Sequence, residues 1–305
     1  MLSVYISFVI FAKLNNLIML NFTLVSTKHL SSGMLFLDED DYRAAMNIVA
    51  ICSFVTGVRV IAFIMMSNHV HFVLMGSADE ARFFIDKFKA LYGKYFFNKY
   101  GVHEFMRRLG ADLRALIIED ESLMRGIAYV HMNSVAANLT PSPFLYPWGT
   151  GATFFNPTSA SGRRLQELSK RQQYRILRSR MDLPQQYVLG EAGYVLPHCY
   201  AEVEFVEKLF CSPSRYSYFL NTSSKARQRK EKDPAPSFAD YVAKAVMENL
   251  VNSLFRTDKF DSLDFEKKAD VLKQMHRRLN SDAKQLSRIT GIRPEEIIEI
   301  LDTFQ

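Results

Sequence analysis

The chain has 305 residues, enough for one or two domains with a substantial core. Hydrophobic residues make up 48% and charged residues 23%, which excludes wholesale disorder and collagen-like repeats. Its 38 basic and 32 acidic residues leave a net charge of +6, which favours a polyanionic partner only where the charge clusters.

The first stretch is apolar from Val4 to Ala12, too short for a bilayer span, which takes roughly 20 apolar residues. Lys13 follows this run, whereas a signal peptide carries its charge in front. Residues 1–19 therefore read as an extension, with Met19 the expected start, and no membrane partner is expected. Cys52, Cys199 and Cys211 show no CxxC spacing and cannot all pair. That disfavours a disulfide scaffold or zinc ribbon and fits a reducing, cytoplasmic setting.

Residues 20–158 read as one unit. Asn21–Ser26 has strand character, and Asp38 to Asp41 opens a helix that runs to Gly57. Val58–Met66 and His69–Met75 read as two strands joined at Ser67-Asn68, a hairpin. Ala81–Tyr100 has helical period and ends at Gly101. Leu113–Ile118 is a short strand, and a further helix runs from about Ser122 to Val135. The order β-α-β-β-α-β predicts an α+β ferredoxin-like sandwich with an antiparallel sheet.

Residues 159–222 read as a basic helical extension. Between Arg163 and Arg180, seven basic residues (Arg163, Arg164, Lys170, Arg171, Arg175, Arg178 and Arg180) face one acid, Glu167. It reads equally as a surface gripping a nucleic-acid backbone and as a solvated helix face. Residues 223–237, including KARQRKEK, read as a solvated linker. Residues 238–305 read as a helical module whose last two helices flank Gly291 with helix-turn-helix spacing. The second of these, from Pro294 to Glu299, is acidic, whereas recognition helices face phosphates with Lys or Arg. Lys284, Arg288 and Arg293 are the DNA-contact candidates here, and a packing or dimerisation module is the competing reading.

The chemistry concentrates in His69-Val70-His71. Alternate residues of a strand face one side, so both imidazoles point to one place and can chelate a divalent metal. Tyr129 and Asn133 stand one helical turn apart on a common face. Asn133 would supply a third, oxygen ligand and Tyr129 a nucleophile beside the metal. His131, two residues from Tyr129, reads as a surface residue. Arg107 and Arg108 read either as phosphate contacts or as solvated loop charges. Tyr146 and Trp148 read either as stacking partners for bases or as core anchors.

The segment IAFIMMSNHVHFVLMG resembles the His-hydrophobic-His strand of single-tyrosine (HUH) nucleases. Together with AYVHMNSVAANL and YPWGT it resembles the REP-associated tyrosine transposases, relatives of insertion-sequence transposases acting on single-stranded DNA. The resemblance covers about residues 21–155. It implies His69, His71 and Asn133 as ligands of Mg²⁺ or Mn²⁺ and Tyr129 as nucleophile. It further implies a 5′-phosphotyrosine intermediate and hairpin-bearing single-stranded DNA as partner. The protein would be a monomer or a homodimer, and some relatives exchange the tyrosine helix between protomers. The family usually carries Pro where Ser67 and Ser134 stand, and a basic residue near Ala136. The competing functions are a non-catalytic DNA-binding regulator that keeps the fold and an ordinary metallohydrolase.

Overall fold

A computed structural model describes residues 21–28, 33–102, 110–156, 161–226, 238–257 and 259–302. The expected extension at 1–19, Arg107, Arg108 and most of the expected linker lie outside the described residues.

The helix boundaries follow from their capping residues. Helix α1 (Glu39–Thr56) starts where the Asp38 side chain accepts from Asp41 N at 3.0 Å, with three acids in the first turn complementing the dipole. It stops at Gly57, whose φ of 71° suits glycine. Helix α2 (Ala78–Tyr100) is capped in the same way by Ser77 and Glu80, three residues earlier than its apolar period suggests. The cap, rather than the hydrophobic repeat, decides that first turn.

Strands β1 (Phe22–Thr27), β2 (Arg59–Met66), β3 (His69–Met75) and β4 (Ala111–Leu116) form one antiparallel sheet in the order β2-β3-β1-β4. Strand β4 begins two residues before the expected Leu113 because its length is set by β1. Ala111 pairs with Thr27 and Leu116 with Phe22. On one face Phe72 of β3 meets Phe84 and Phe88 of α2, with centroids 5.3 and 5.5 Å apart. These rings are fully buried, and each side chain contributes about 1.5–3 kcal/mol by burial. The alternate residues, His69 and His71, face the other side. There α3 (Ser122–His131) and the single turn α4 (Asn133–Ala136) pack.

Residues 148–150 run along the outer edge of β2. Met65 N donates to Trp148 O at 2.8 Å and Thr150 N to Phe63 O at 3.0 Å. A Cβ at Gly149 would lie 2.4 Å from Phe63 O, so this approach requires glycine. Trp148 is buried and stacks on Tyr42 at 4.9 Å, and Tyr146 is buried and donates to Met65 O. Both are core anchors, and neither offers a ring face for a base.

The segment expected as a basic helical extension is only partly helical. Arg163–Arg164 forms β5, paired with β6 (Val188–Leu189), and helix α5 spans Lys170–Leu177. Helices α6 (Val203–Phe210) and α7 (Pro213–Thr222) follow. The C-terminal helices α8 (Asp240–Phe255), α9 (Phe265–Leu279), α10 (Ala283–Thr290) and α11 (Pro294–Asp302) enclose a second apolar core. The protein is thus α+β, with a four-stranded antiparallel sheet and a helical C-terminal region. No helix among the described residues is long and apolar enough to cross a membrane.

Candidate active site

Strand β3 delivers His69 and His71 to one face, and their rings meet edge-on with centroids 4.7 Å apart. The next ring is Tyr129 from α3, whose centroid lies 5.4 Å from that of His71, again edge-on. Three rings from two elements, nearly sixty residues apart in the chain, therefore form one row.

Each imidazole is oriented through its Nδ1. His69 Nδ1 lies 2.7 Å from Asn68 Oδ1. A carboxamide oxygen only accepts, so this Nδ1 carries the proton and Nε2 presents its lone pair. His71 Nδ1 lies 2.7 Å from Ser26 Oγ on β1, the residue directly across the ladder. Both side chains are buried, at 5% and 1% exposure.

Asn133 is also buried, and its amide nitrogen donates to Tyr129 O at 2.8 Å and Val130 O at 3.2 Å. Those bonds turn the nitrogen into its own helix and leave the oxygen as the end able to ligate. Among the described residues no group of three His, Cys, Asp or Glu side chains could hold a metal. Two imidazoles supplemented by an amide oxygen remain a donor set that suits a divalent cation with open positions for substrate oxygens. The donor types of His69, His71 and Asn133 fit such an ion.

Tyr129 is half-buried, and burial raises its phenol pKa above the ordinary value while Arg114 on β4 pulls it down. Arg114 belongs to a cavity of about 390 Å³ beside the tyrosine, lined also by Leu24, Arg125, Phe219 and Thr222. Lys225 Nζ lies 5.0 Å from the centre of the Tyr129 ring. Lys225 was expected in a solvated linker. Instead residues 224–226 are helical and carry this cation onto the tyrosine. Arg114 escaped the sequence reading because it stands outside any charge cluster, and Lys225 because its run KARQRKEK reads as a linker. The alternation along β4, which sets Arg114 opposite Leu24 on the histidine face, is the one signal that pointed there.

His131 overturns the expectation of a surface residue. It is 1% exposed, with Nε2 2.8 Å from Thr150 Oγ1 and Nδ1 2.6 Å from the Tyr216 hydroxyl. Desolvation pushes its pKa down to about 3, so it is a neutral core residue at physiological pH.

Several of the basic candidates are engaged elsewhere. Arg163, Arg164, Lys170, Arg171, Arg175 and Arg178 are exposed. Arg175 and Arg178 line a separate groove of about 750 Å³ between α1, α2 and α5, on the opposite face of the sheet. Lys170 pairs with Asp182 at 2.6 Å, and Arg178 lies over the Tyr95 ring. In the C-terminal region Lys284 is exposed and Arg293 is paired with Glu296. Arg288 is turned inward: its guanidinium donates to both oxygens of the buried Asp240, at 2.6 and 2.9 Å. Reading DNA would require breaking that pair, because a carboxylate buried without its partner is strongly disfavoured.

Compared with protein-family models, curated proteins and solved structures, the chain matches none.

Proposed function

We propose that this chain is a transposase-like, metal-dependent endonuclease and strand transferase acting on single-stranded DNA at hairpin sequences. The observation that carries the reading is the row of rings His69, His71 and Tyr129, assembled from a strand and a helix far apart in sequence. The strand order β2-β3-β1-β4 within β-α-β-β-α-β supports a ferredoxin-like arrangement of the HUH kind beneath it.

In this reading His69, His71 and Asn133 would hold a Mg²⁺ or Mn²⁺ ion, which would supply Lewis-acid stabilisation of the scissile phosphate. Tyr129 Oη attacks phosphorus, and the bond to the 3′ oxygen breaks. The phenol loses its proton, the departing 3′ oxygen gains one, and a 5′-phosphotyrosine remains. Because the phosphodiester is exchanged and not hydrolysed, the reverse attack by a 3′-hydroxyl rejoins the strand. A buried, neutral phenol is a weak nucleophile. Arg114 favours the phenolate, and Arg114 and Lys225 offset negative charge on the phosphate. The partner is single-stranded, hairpin-bearing DNA, bound by a monomer or a homodimer.

The test incubates the full-length protein with Mn²⁺ and labelled hairpin-bearing single strands. The expected outcome is a covalent adduct on a denaturing gel, dependent on Tyr129 and removed by EDTA. DNA binding that is indifferent to EDTA, with no adduct, would identify a non-catalytic binder instead.

A further inference from the structure

The turn that carries His69 is fastened to the C-terminal helices. Ser67 and Asn68 join β2 to β3, and Asn68 is the residue that orients the His69 ring. The hydroxyl of Ser67 donates to Asp240 Oδ2, across 173 positions of sequence. Asp240 opens α8 and is 2% exposed, a setting in which a carboxylate needs every oxygen satisfied.

Its bonds meet that need. Oδ2 accepts from Ser67 and from Arg288 Nε, while Oδ1 accepts from Arg288 Nη2 and, at 3.0 Å, from Gln285 Nε2. Gln285 also donates to Phe238 O at 2.6 Å. The Ser67 carbonyl in turn accepts from Leu35 N at 2.6 Å and Phe36 N at 3.2 Å. Met34, next in that segment, packs in the C-terminal apolar core. The turn is therefore gripped by side chain on one side and by backbone on the other, and both grips lead to the C-terminal region.

We infer that Asp240, held by Arg288 and Gln285, is a positioning residue that sets the His69 imidazole through the Ser67–Asn68 turn. It makes the C-terminal helices part of the metal site's support. The inference rests on the reading of His69 as a metal ligand. Residues two shells out from a metal act by fixing ligand direction, and disturbing them weakens metal binding without removing a donor.

The test uses the full-length protein with ¹⁵N-labelled histidine and the variants Ser67→Ala and Asp240→Asn. Ser67→Ala removes one hydroxyl and leaves Arg288 paired; Asp240→Asn keeps the shape and removes the charge. The His69 ring resonances should shift in both variants, while those of His131 and His276 stay in place. Mn²⁺ affinity, read from the free-ion paramagnetic resonance signal, should fall by about threefold to tenfold, less than the roughly 10–100-fold typical when a group bonded directly to a ligand is lost. Unchanged His69 resonances and unchanged Mn²⁺ affinity in both folded variants would overturn the inference. A shift of all histidine resonances together would overturn it as well, since that marks general loosening. If the wild-type protein forms no DNA adduct, the nuclease reading fails, and the His69 resonances still decide whether the clamp exists.

Discussion

Helix α3 carries two polar side chains two residues apart, Tyr129 and His131, and their surroundings are opposite. His131 is enclosed: both ring nitrogens have protein partners, and its neighbours Phe154 and Tyr216 are buried aromatics. Tyr129 is half-open, borders a cavity and has Arg114 and Lys225 beside it. A closed, fully satisfied polar group specifies packing. A half-exposed one with cations and a cavity alongside has room for a substrate and charge to stabilise it. His69 and His71 are as buried as His131, and what sets them apart is that their rings form the row leading to Tyr129.

The contrast is broken most directly at Tyr129. Tyr129→Phe should reduce adduct formation by at least ~10³-fold on the denaturing gel, because the attacking oxygen is gone. An adduct at wild-type yield would remove Tyr129 from the mechanism. Next in size, His71→Ala should weaken Mn²⁺ binding by about a hundredfold or more, since it deletes a donor and not merely its support. Titration calorimetry measures this, and an unchanged affinity would place the ion elsewhere.

On the closed side, His131→Ala should cost about 2–4 kcal/mol in urea unfolding, from the cavity and the stranded Tyr216 hydroxyl. Adduct yield per folded molecule should hold. The pH dependence follows from the lowered pKa of His131. The unfolded chain takes up a proton near pH 6.5 and the folded chain only near 3, so stability falls as pH drops below 6.5 and is unaffected above it. Relative to His131→Gln, the wild type should lose on the order of 1–2 kcal/mol between pH 7 and pH 5. A flat difference would mean that His131 is protonated in the fold. The smallest effect is expected for Arg114→Gln. Losing the cation raises the Tyr129 pKa further, and adduct formation near neutral pH should slow by roughly twofold to tenfold, with recovery at higher pH.

Much of the scaffold could be read in advance because its signals are local. Asp38 announces a helix start, Gly57 and Gly101 announce helix ends, and the alternation in HVHFVLM places both histidines on one face. Asn133 one turn from Tyr129 is equally local. What escaped was non-local. Tyr146 and Trp148 became core anchors because residues 148–150 pair along β2, and Arg288 turned inward because Asp240 lies within its reach. Arg175 and Arg178 line a groove on the other face of the sheet because α5 packs beside α1 and α2.

By itself the sequence determined which residues are chemically capable: two imidazoles on one strand face, and a phenol and an amide one helical turn apart. Periodicity suffices for that, since the strand and the helix each impose a fixed repeat on side-chain direction. Only the tertiary structure decided which of these groups meet. It put His71 against Tyr129, sealed His131 in the core, brought Lys225 and Arg114 to the phenol and spent Arg288 on Asp240 beneath the His69 turn. Such pairings depend on how the sheet, its covering helices and the C-terminal region pack, and desolvation and Coulomb attraction act on those distances and not on separation along the chain.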